Sequence, residues 1–392
     1  MRHSSFLLRI AIIGLLLHLY VGARLIPALP VSTPGKWLAA LWLVLSYTTI
    51  PPGMAARRIA HQPLGDALAW VGMTALGYFS SLLTLTVLRD AVLALLAGVN
   101  ALRPPISPAL DFAYWRSVSA AAVVILALLL IVAGFVNARR RARIVTVDVP
   151  IEGLPEKLDG FTIAQIGDIH IGPTIKRGYV EAIVQAVNAL HPDLIALTGD
   201  IIDGRLAHLA THVQPLGQLR ARYGAYLVLG NHEYYSDATA WTAEFRRLGL
   251  FVLLNEHVVT GENDARLIVA GVTDYTAERF DPAQRSNPAV ALAGAPDDVK
   301  TRVLLAHQPR SAFAAARAGF TLQLCGHTHG GQIFPWNFFV RLQQPFSAGL
   351  VRLEGLWVYT SRGTGYWGPP VRLGAPSEIT RIRLVRARPG TP

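Results

Sequence analysis

The sequence predicts an α-helical membrane region of about four transmembrane helices followed by a layered α/β domain. Two observations carry that expectation. Four apolar stretches of membrane-spanning length crowd the first 143 residues, and from Ile144 onward short apolar runs alternate with amphipathic ones. Of the 392 residues, 52% are apolar and only 16% charged. A soluble globular chain carries about 25% charged residues, so an ordinary soluble protein and a disordered one are both excluded. The one cysteine, Cys325, excludes an internal disulfide and a Cys-rich zinc site.

A span needs ~20 mostly apolar residues. Residues 6–26 qualify, with Arg9 near one end, and so do residues 36–54, closed by Pro51-Pro52. Residues 64–88 are the third span. An apolar tail at 91–99 follows Arg89-Asp90, so this segment reads either as one long tilted helix or as a span plus an interfacial piece. Residues 117–136, nearly uninterrupted Ala, Val, Ile and Leu, are the fourth.

The net charge of +11 suggests nucleic acid until it is divided along the chain. Residues 1–143 hold 13 Lys/Arg against three Asp/Glu, whereas residues 144–392 hold 23 against 22. The excess therefore lies beside the apolar stretches, where basic residues set membrane orientation. The N-terminus has Arg2 and Arg9, Arg57 and Arg58 follow the second span, and Arg139, Arg140, Arg141 and Arg143 follow the fourth. The alternate loops carry Arg24 and Lys36, then Arg89, Arg103 and Arg116 beside Asp90 and Asp111. This bias predicts a multi-pass protein of the cytoplasmic (inner) membrane with both termini in the cytoplasm.

In the C-terminal two-thirds, residues 161–166, 194–197, 226–229, 267–270, 303–306 and 322–325 read as buried strands, and 177–190 and 238–248 as helices. Polar residues follow the strands in series: Gly167-Asp168-Ile169-His170, Gly199-Asp200-Ile201-Ile202-Asp203, Gly230-Asn231-His232-Glu233, Ala306-His307-Gln308 and Gly326-His327-Thr328-His329. Ligand sites in layered α/β folds form beyond the carboxyl ends of strands. A single His or Asp there is commonly a surface or capping residue, but the repetition after successive apolar runs marks a site. Its carboxylates, imidazoles and amide oxygen, without thiolate, suit Mn, Fe or Zn rather than Ca.

The order Asp-x-His, Gly-Asp, Gly-Asn-His-Glu, His, Gly-His-x-His resembles the calcineurin-like metallophosphoesterase superfamily over roughly residues 145–386. Gly326-His327-Thr328-His329-Gly330-Gly331-Gln332, with Ser361-Arg362-Gly363 and Pro369-Pro370, is similar to its bacterial membrane-associated branch. That branch includes cell-envelope phosphodiesterases and a UDP-2,3-diacylglucosamine pyrophosphatase. The resemblance implies a four-layer α-β-β-α sandwich over residues 144–392, behind a membrane region over 1–143, and two divalent metal ions, Mn²⁺ foremost. Asp168, His170, Asp200 and His329 would hold one ion. Asp200, Asn231, His307 and His327 would hold the other, with Asp200 bridging. A hydroxide between the ions would attack phosphorus. His232 resembles the histidine that protonates the leaving oxygen. Asp203 matches the acid that orients it, or else is a helix N-cap.

The expected function is thus a membrane-bound phosphoesterase acting on a phosphoester or pyrophosphate bond, with a lipid-linked cell-envelope substrate in view. A phosphodiesterase for soluble nucleotides on a passive anchor, and a non-catalytic sensor with a relic domain, are the alternatives. One further segment bears on substrate. Phe334, Trp336, Phe338 and Phe339, followed by Arg341, leave the last ligand motif, and suit either a bilayer boundary or the domain's own core.

Overall fold

The computed structural model describes residues 2–59, 61–102, 111–262 and 265–387; Arg103 lies outside them. Residues 1–136 with Gly368–Val371 cluster as one compact unit, and the remainder of the chain as a second. The first unit is built on α1 (Arg2–Leu25), α2 (Thr33–Ala55) and α3 (Gln62–Ala101), and holds most of α4 (Phe112–Arg139). All four are long and apolar enough to cross a membrane.

Helix α3 runs unbroken through Arg89 and Asp90, so the 64–99 segment is one helix. At 1.5 Å per residue its 40 residues extend about 60 Å, twice the ~30 Å hydrocarbon core. Helix α2 carries Pro51 and Pro52 inside it and ends at Ala55. The prolines therefore lie within its last two turns, rather than closing it, and each removes the bond to the carbonyl four residues earlier. Val21, Ile50, Phe79, Leu82, Val123 and Ala127 pack the helices together. Gly53 and Gly72 meet backbone to backbone, and a Cβ on Gly72 would strike the Thr49 carbonyl. Small residues of this kind let membrane helices approach closely. Asp90 gathers a cluster of polar contacts in this unit. The Asp90 carboxylate accepts from Arg24 Nε at 2.7 Å, Tyr20 at 2.7 Å and Arg89 Nη1 at 3.1 Å, while Arg89 Nε donates to Ser119 at 2.8 Å.

The second unit holds two six-stranded sheets. The first comprises β1 (Arg143–Ile151), β2 (Thr162–Ile166), β3 (Leu194–Leu197), β4 (Ala225–Leu227), β5 (Phe251–Val252) and β12 (Glu378–Arg386), in the order β1-β12-β2-β3-β4-β5. The second comprises β6 (Glu256–Thr260), β7 (Leu267–Gly271), β8 (Arg302–Leu305), β9 (Leu322–Cys325), β10 (Gly349–Leu353) and β11 (Leu356–Thr360), in the order β10-β11-β9-β8-β7-β6. Strands β2 to β5 are mutually parallel, as are β7, β8, β9 and β11.

Three apolar cores define four layers. Ile163, Leu194, Tyr226, Val269, Val303 and Leu322 fill the space between the sheets. Ala164, Ile195 and Leu197, on the opposite face of the first sheet, pack on α5 (Arg177–Asn188), α6 (Leu206–Val213) and α8 (Ala238–Arg247) through Ile183, Leu209 and Trp241. Ile268, Ala270 and Leu304, on the far face of the second sheet, cover α9 (Pro288–Ala291) and α10 (Ala312–Ala318) through Ala291, Ala312 and Ala315. Strand side chains alternate between faces, so each fully buried strand serves two cores. The result is the expected α-β-β-α arrangement. All the expected strands form; the third sits one residue earlier, at 225–227, and runs one strand position shorter.

Candidate metal centre

The polar series lands at the carboxyl ends of parallel strands in both sheets. Asp168 and His170 follow β2, Asp200 and Asp203 follow β3, and Asn231 and His232 open the short helix α7 (Asn231–Tyr235) after β4. His307 follows β8, and His327 and His329 follow β9. All are buried except Asp203 and His327, which are half-buried. The turns that carry them are strained. Ten described non-glycine residues have positive φ, and Asp168, His170, Asp200, His327 and His329 are five of them. Such conformations cost about 1–3 kcal/mol each and gather at functional sites. The flanking glycines give the side chains room: a Cβ on Gly230 would collide with Asp200 Oδ1, and one on Gly326 with Asp168 Oδ2.

Side-chain donors converge in three groups able to hold a cation: Asp168, His170 and His329; His170, Asp200 and His232; Asp200, His307 and His327. His170 Nε2 lies 3.0 Å from His329 Nε2 and 3.8 Å from Asp200 Oδ2. His307 Nε2 lies 3.1 Å from Asp200 Oδ2 and 3.1 Å from His327 Nδ1. Asp200 thus touches both outer groups.

Several features fit this cluster to divalent cations. His307 Nδ1 donates to the Thr198 carbonyl at 2.8 Å, which leaves Nε2 facing Asp200. Ligating histidines are usually oriented by such a second contact. Among the candidate ligands, two buried atoms lack a hydrogen-bond partner: Asn231 Oδ1 and His170 Nδ1. Buried polar atoms without partners are rare, and the Asn231 oxygen is the one the resemblance assigns to a cation. The protonation states also suit ligation, which needs neutral imidazoles. Burial, then the neighbouring His232, brings His170 down to about 3. Burial, then His307, brings His327 down to about 3. Burial and the Arg372 cation hold His329 well below the usual range. His307 differs: burial pushes it down, but the Asp200 carboxylate outweighs burial and raises it well above. Burial pushes Asp200 up, and His307 and His232 outweigh that and hold it well below. Burial pushes Asp168 up to about 7.

His232 Nδ1 lies 3.0 Å from Asp203 Oδ1. Helix α6 has Arg205 at its N-cap, so Asp203 is no helix cap. The His232 ring stands edge-on to His170, Tyr235 and Trp367, with centroids 4.6, 5.3 and 5.6 Å away. Beyond His329, Phe334, Trp336, Phe338 and Phe339 are 55%, 45%, 64% and 54% exposed, the last two on the short helix α11 (Asn337–Val340). They do not form the core of their own domain.

Two positioning residues escaped the sequence reading. Glu233 is fully buried, and its carboxylate accepts four backbone N–H groups: Gly230 at 2.7 Å, Asp200 at 3.0 Å, Ile201 at 2.8 Å and Ile202 at 3.1 Å. Its place three residues after Gly230 is the glutamate of a capping box, a signal present in the sequence. Arg372 is also buried. Nη2 lies 3.0 Å from His329 Nδ1, and Nη1 donates to the carbonyls of His329, Arg362 and Ala375 at 3.0, 2.7 and 3.1 Å. The guanidinium thus stands behind the His329 ring and fixes its place. No local pattern announces Arg372.

Comparison with known proteins agrees with the geometry. Residues 161–331 match the family described as calcineurin-like phosphoesterase. A cattle (Bos taurus) transmembrane protein with metallophosphoesterase domain is 42% identical over 284 residues, covering 68% of this chain and 62% of that protein. A zebrafish (Danio rerio) protein of the same description is 38% identical over 271 residues, covering 67% and 62%. An uncharacterized metallophosphoesterase of Campylobacter jejuni is 35% identical over 267 residues, covering 67% and 68%. The chain belongs to the calcineurin-like metallophosphoesterases. It spans about three-fifths of the length of the two animal relatives.

Replacing Glu233 with Ala strands four buried donors. At about 1–3 kcal/mol for a buried group left unpaired, the full-length protein should lose at least roughly 2 kcal/mol, seen as a lower thermal midpoint. Asp203→Ala, at a half-buried position, should shift the midpoint little. Equal midpoints for Glu233→Ala and the unaltered chain would remove Glu233 from this role.

Proposed function

We propose that the chain is a membrane-bound, binuclear metal-dependent phosphoesterase, with residues 1–143 as membrane region and 144–392 as catalytic domain. The observation that carries this reading is the pair of donor groups meeting at Asp200, beside the unpartnered Asn231 oxygen. Asp168, His170, Asp200 and His329 would hold one divalent cation, and Asp200, Asn231, His307 and His327 the other. The oxygen and nitrogen donors suit Mn²⁺ first, with Fe or Zn as alternatives. When bound, two such cations neutralise phosphoryl charge and lower the pKa of a water that serves as nucleophile.

The remaining work falls to this chain's own side chains. Asp200 lies between the two donor groups and keeps them together. Asp203 holds His232 through Nδ1, which makes Nε2 the nitrogen to protonate the leaving oxygen of a phosphoester or pyrophosphate. Tyr235 and Trp367 wall the His232 ring and fix its plane. The exposed aromatics after His329 favour a substrate with an apolar part, such as a lipid-linked phosphoester or pyrophosphate. The arginines at 139–143 favour the cytoplasmic membrane with the catalytic domain inside.

Two substitutions separate the roles. Asp200→Asn should lose both bound metal and at least roughly a thousandfold in turnover. His232→Ala should keep most metal while losing about 10²–10⁴-fold, and less with a good leaving group. Near-normal hydrolysis by Asp200→Asn with metal content unchanged would refute the binuclear assignment.

Serine at both Trp336 and Phe339 should lower hydrolysis of a long-chain lipid phosphoester roughly tenfold, a loss of ~1.4 kcal/mol, and spare a short water-soluble ester. A parallel fall in both activities would count against an apolar substrate. Protease added to intact spheroplasts should leave the catalytic domain whole, and cleave it only after lysis; cleavage before lysis would reverse the orientation.

A further inference from the structure

Where α4 ends at Arg139 and β1 begins at Arg143, the chain forms a cavity of about 240 Å³ in the second unit. Arg139, Arg140 and Arg141 line one side. Gly178, Ala182 and Ala186, spaced along one face of α5, line the other. No carboxylate lines it among the described residues. Arg139 is anchored: Nη1 donates to the Thr174 carbonyl at 3.1 Å and lies 3.3 Å from the Tyr366 hydroxyl, and the guanidinium stands 5.7 Å from the Tyr179 ring centre. Arg140 and Arg141 are exposed and make no ion pair with a described acidic residue. Helix α5 starts against its own dipole. Lys176 is its N-cap, Arg177 its first residue, no acidic residue occupies its first turn and no side chain caps it. Arg177 pairs with Glu181 at 2.7 Å. Cations at the positive end of a helix are unfavourable unless an anion neutralises them.

These residues sit on a membrane protein within a few positions of a span's end, so the anion nearest to hand is a lipid phosphate. We propose that this cavity binds the headgroup of an anionic phospholipid in the leaflet that α4 leaves. The phosphate would lie among Arg139, Arg140, Arg141 and the start of α5, with the glycerol against the small residues of α5. Clusters of basic residues beside a span attract anionic lipids strongly. The groove of Gly, Ala and Ala turns that general attraction into a site with a shape. Bound lipid would hold the catalytic unit's first strand close to the bilayer surface without taking part in hydrolysis.

The test uses the full-length protein in neutral detergent micelles and phosphatidylglycerol as probe, with retained lipid counted by native mass spectrometry. Phosphatidylglycerol should be retained over phosphatidylcholine by roughly tenfold, and it should raise the thermal midpoint. Two variants separate shape from charge. A Cβ on Gly178 meets open space, so Gly178→Leu fills the cavity without disturbing the fold or the charge. It should reduce phosphatidylglycerol retention at least fivefold. Arg140→Gln with Arg141→Gln should reduce it roughly tenfold or more. Equal retention by Gly178→Leu and the unaltered chain would overturn the site and leave only diffuse charge. Complete displacement of the lipid by millimolar glycerol phosphate would reassign the cavity to a soluble phosphate and equally overturn the lipid proposal.

Discussion

The carboxylate of Glu233 draws together the two loops that follow β3 and β4. It accepts the amides of Asp200, Ile201 and Ile202 from the turn after β3 and that of Gly230 from the turn after β4. Asp200 in turn accepts the His232 amide through Oδ1 at 2.9 Å, which leaves Oδ2 directed at His307 and His170. One buried acid therefore fixes the backbone from which Asp200, Asn231 and His232, the proposed bridge, amide ligand and acid, all project. Burial and the Asp200 charge push Glu233 up to about 7, against the pull of its amide donors. Only a full set of donors makes an acid tolerable in so dry a place.

The second sheet contributes in a different way. His307, His327 and His329 stand on strands β8 and β9, and the intersheet core sets their distance from Asp168 and Asp200. The backbone amide of His327 reaches Asp168 Oδ1 at 2.9 Å, so the sheets are also joined by a polar contact at the site itself. Strained turns are tolerable here because rigid sheets lie behind them. Preorganisation of this kind holds the donors close together before a cation or substrate arrives.

Much of this was visible in the chain before any fold was known, and the reasons differ by element. Strands β3 and β9 were read to the residue because both faces are buried, so they are unbroken apolar runs. Strand β12, Glu-Ile-Thr-Arg-Ile-Arg-Leu-Val-Arg, carries four charges and was not read at all, although it runs between β1 and β2. The short pair β10 and β11 was lost for want of length and periodicity. The candidate ligands were legible because polar side chains follow an apolar run, after a glycine in four of the five motifs. Of what Glu233 does, only its capping-box bond to Gly230 was legible; its three other partners are amides some thirty residues away that no pattern records. Arg372 lies further still, forty-three residues beyond the imidazole it braces.

Cys325 closes β9, one residue before the Gly-His-Thr-His turn, and is fully buried. Its Sγ donates to the Tyr359 carbonyl at 3.3 Å, and burial pushes the thiol up to about 12. Since the thiolate is the reactive form, this sulfur is mute toward oxidants and alkylating reagents while the domain is folded. It gains reactivity only when β9 leaves β11. A thiol-reactive dye added during heating or denaturant titration would therefore report the opening of the second sheet alone, and would distinguish loss of the catalytic sandwich from melting of the helices that precede it.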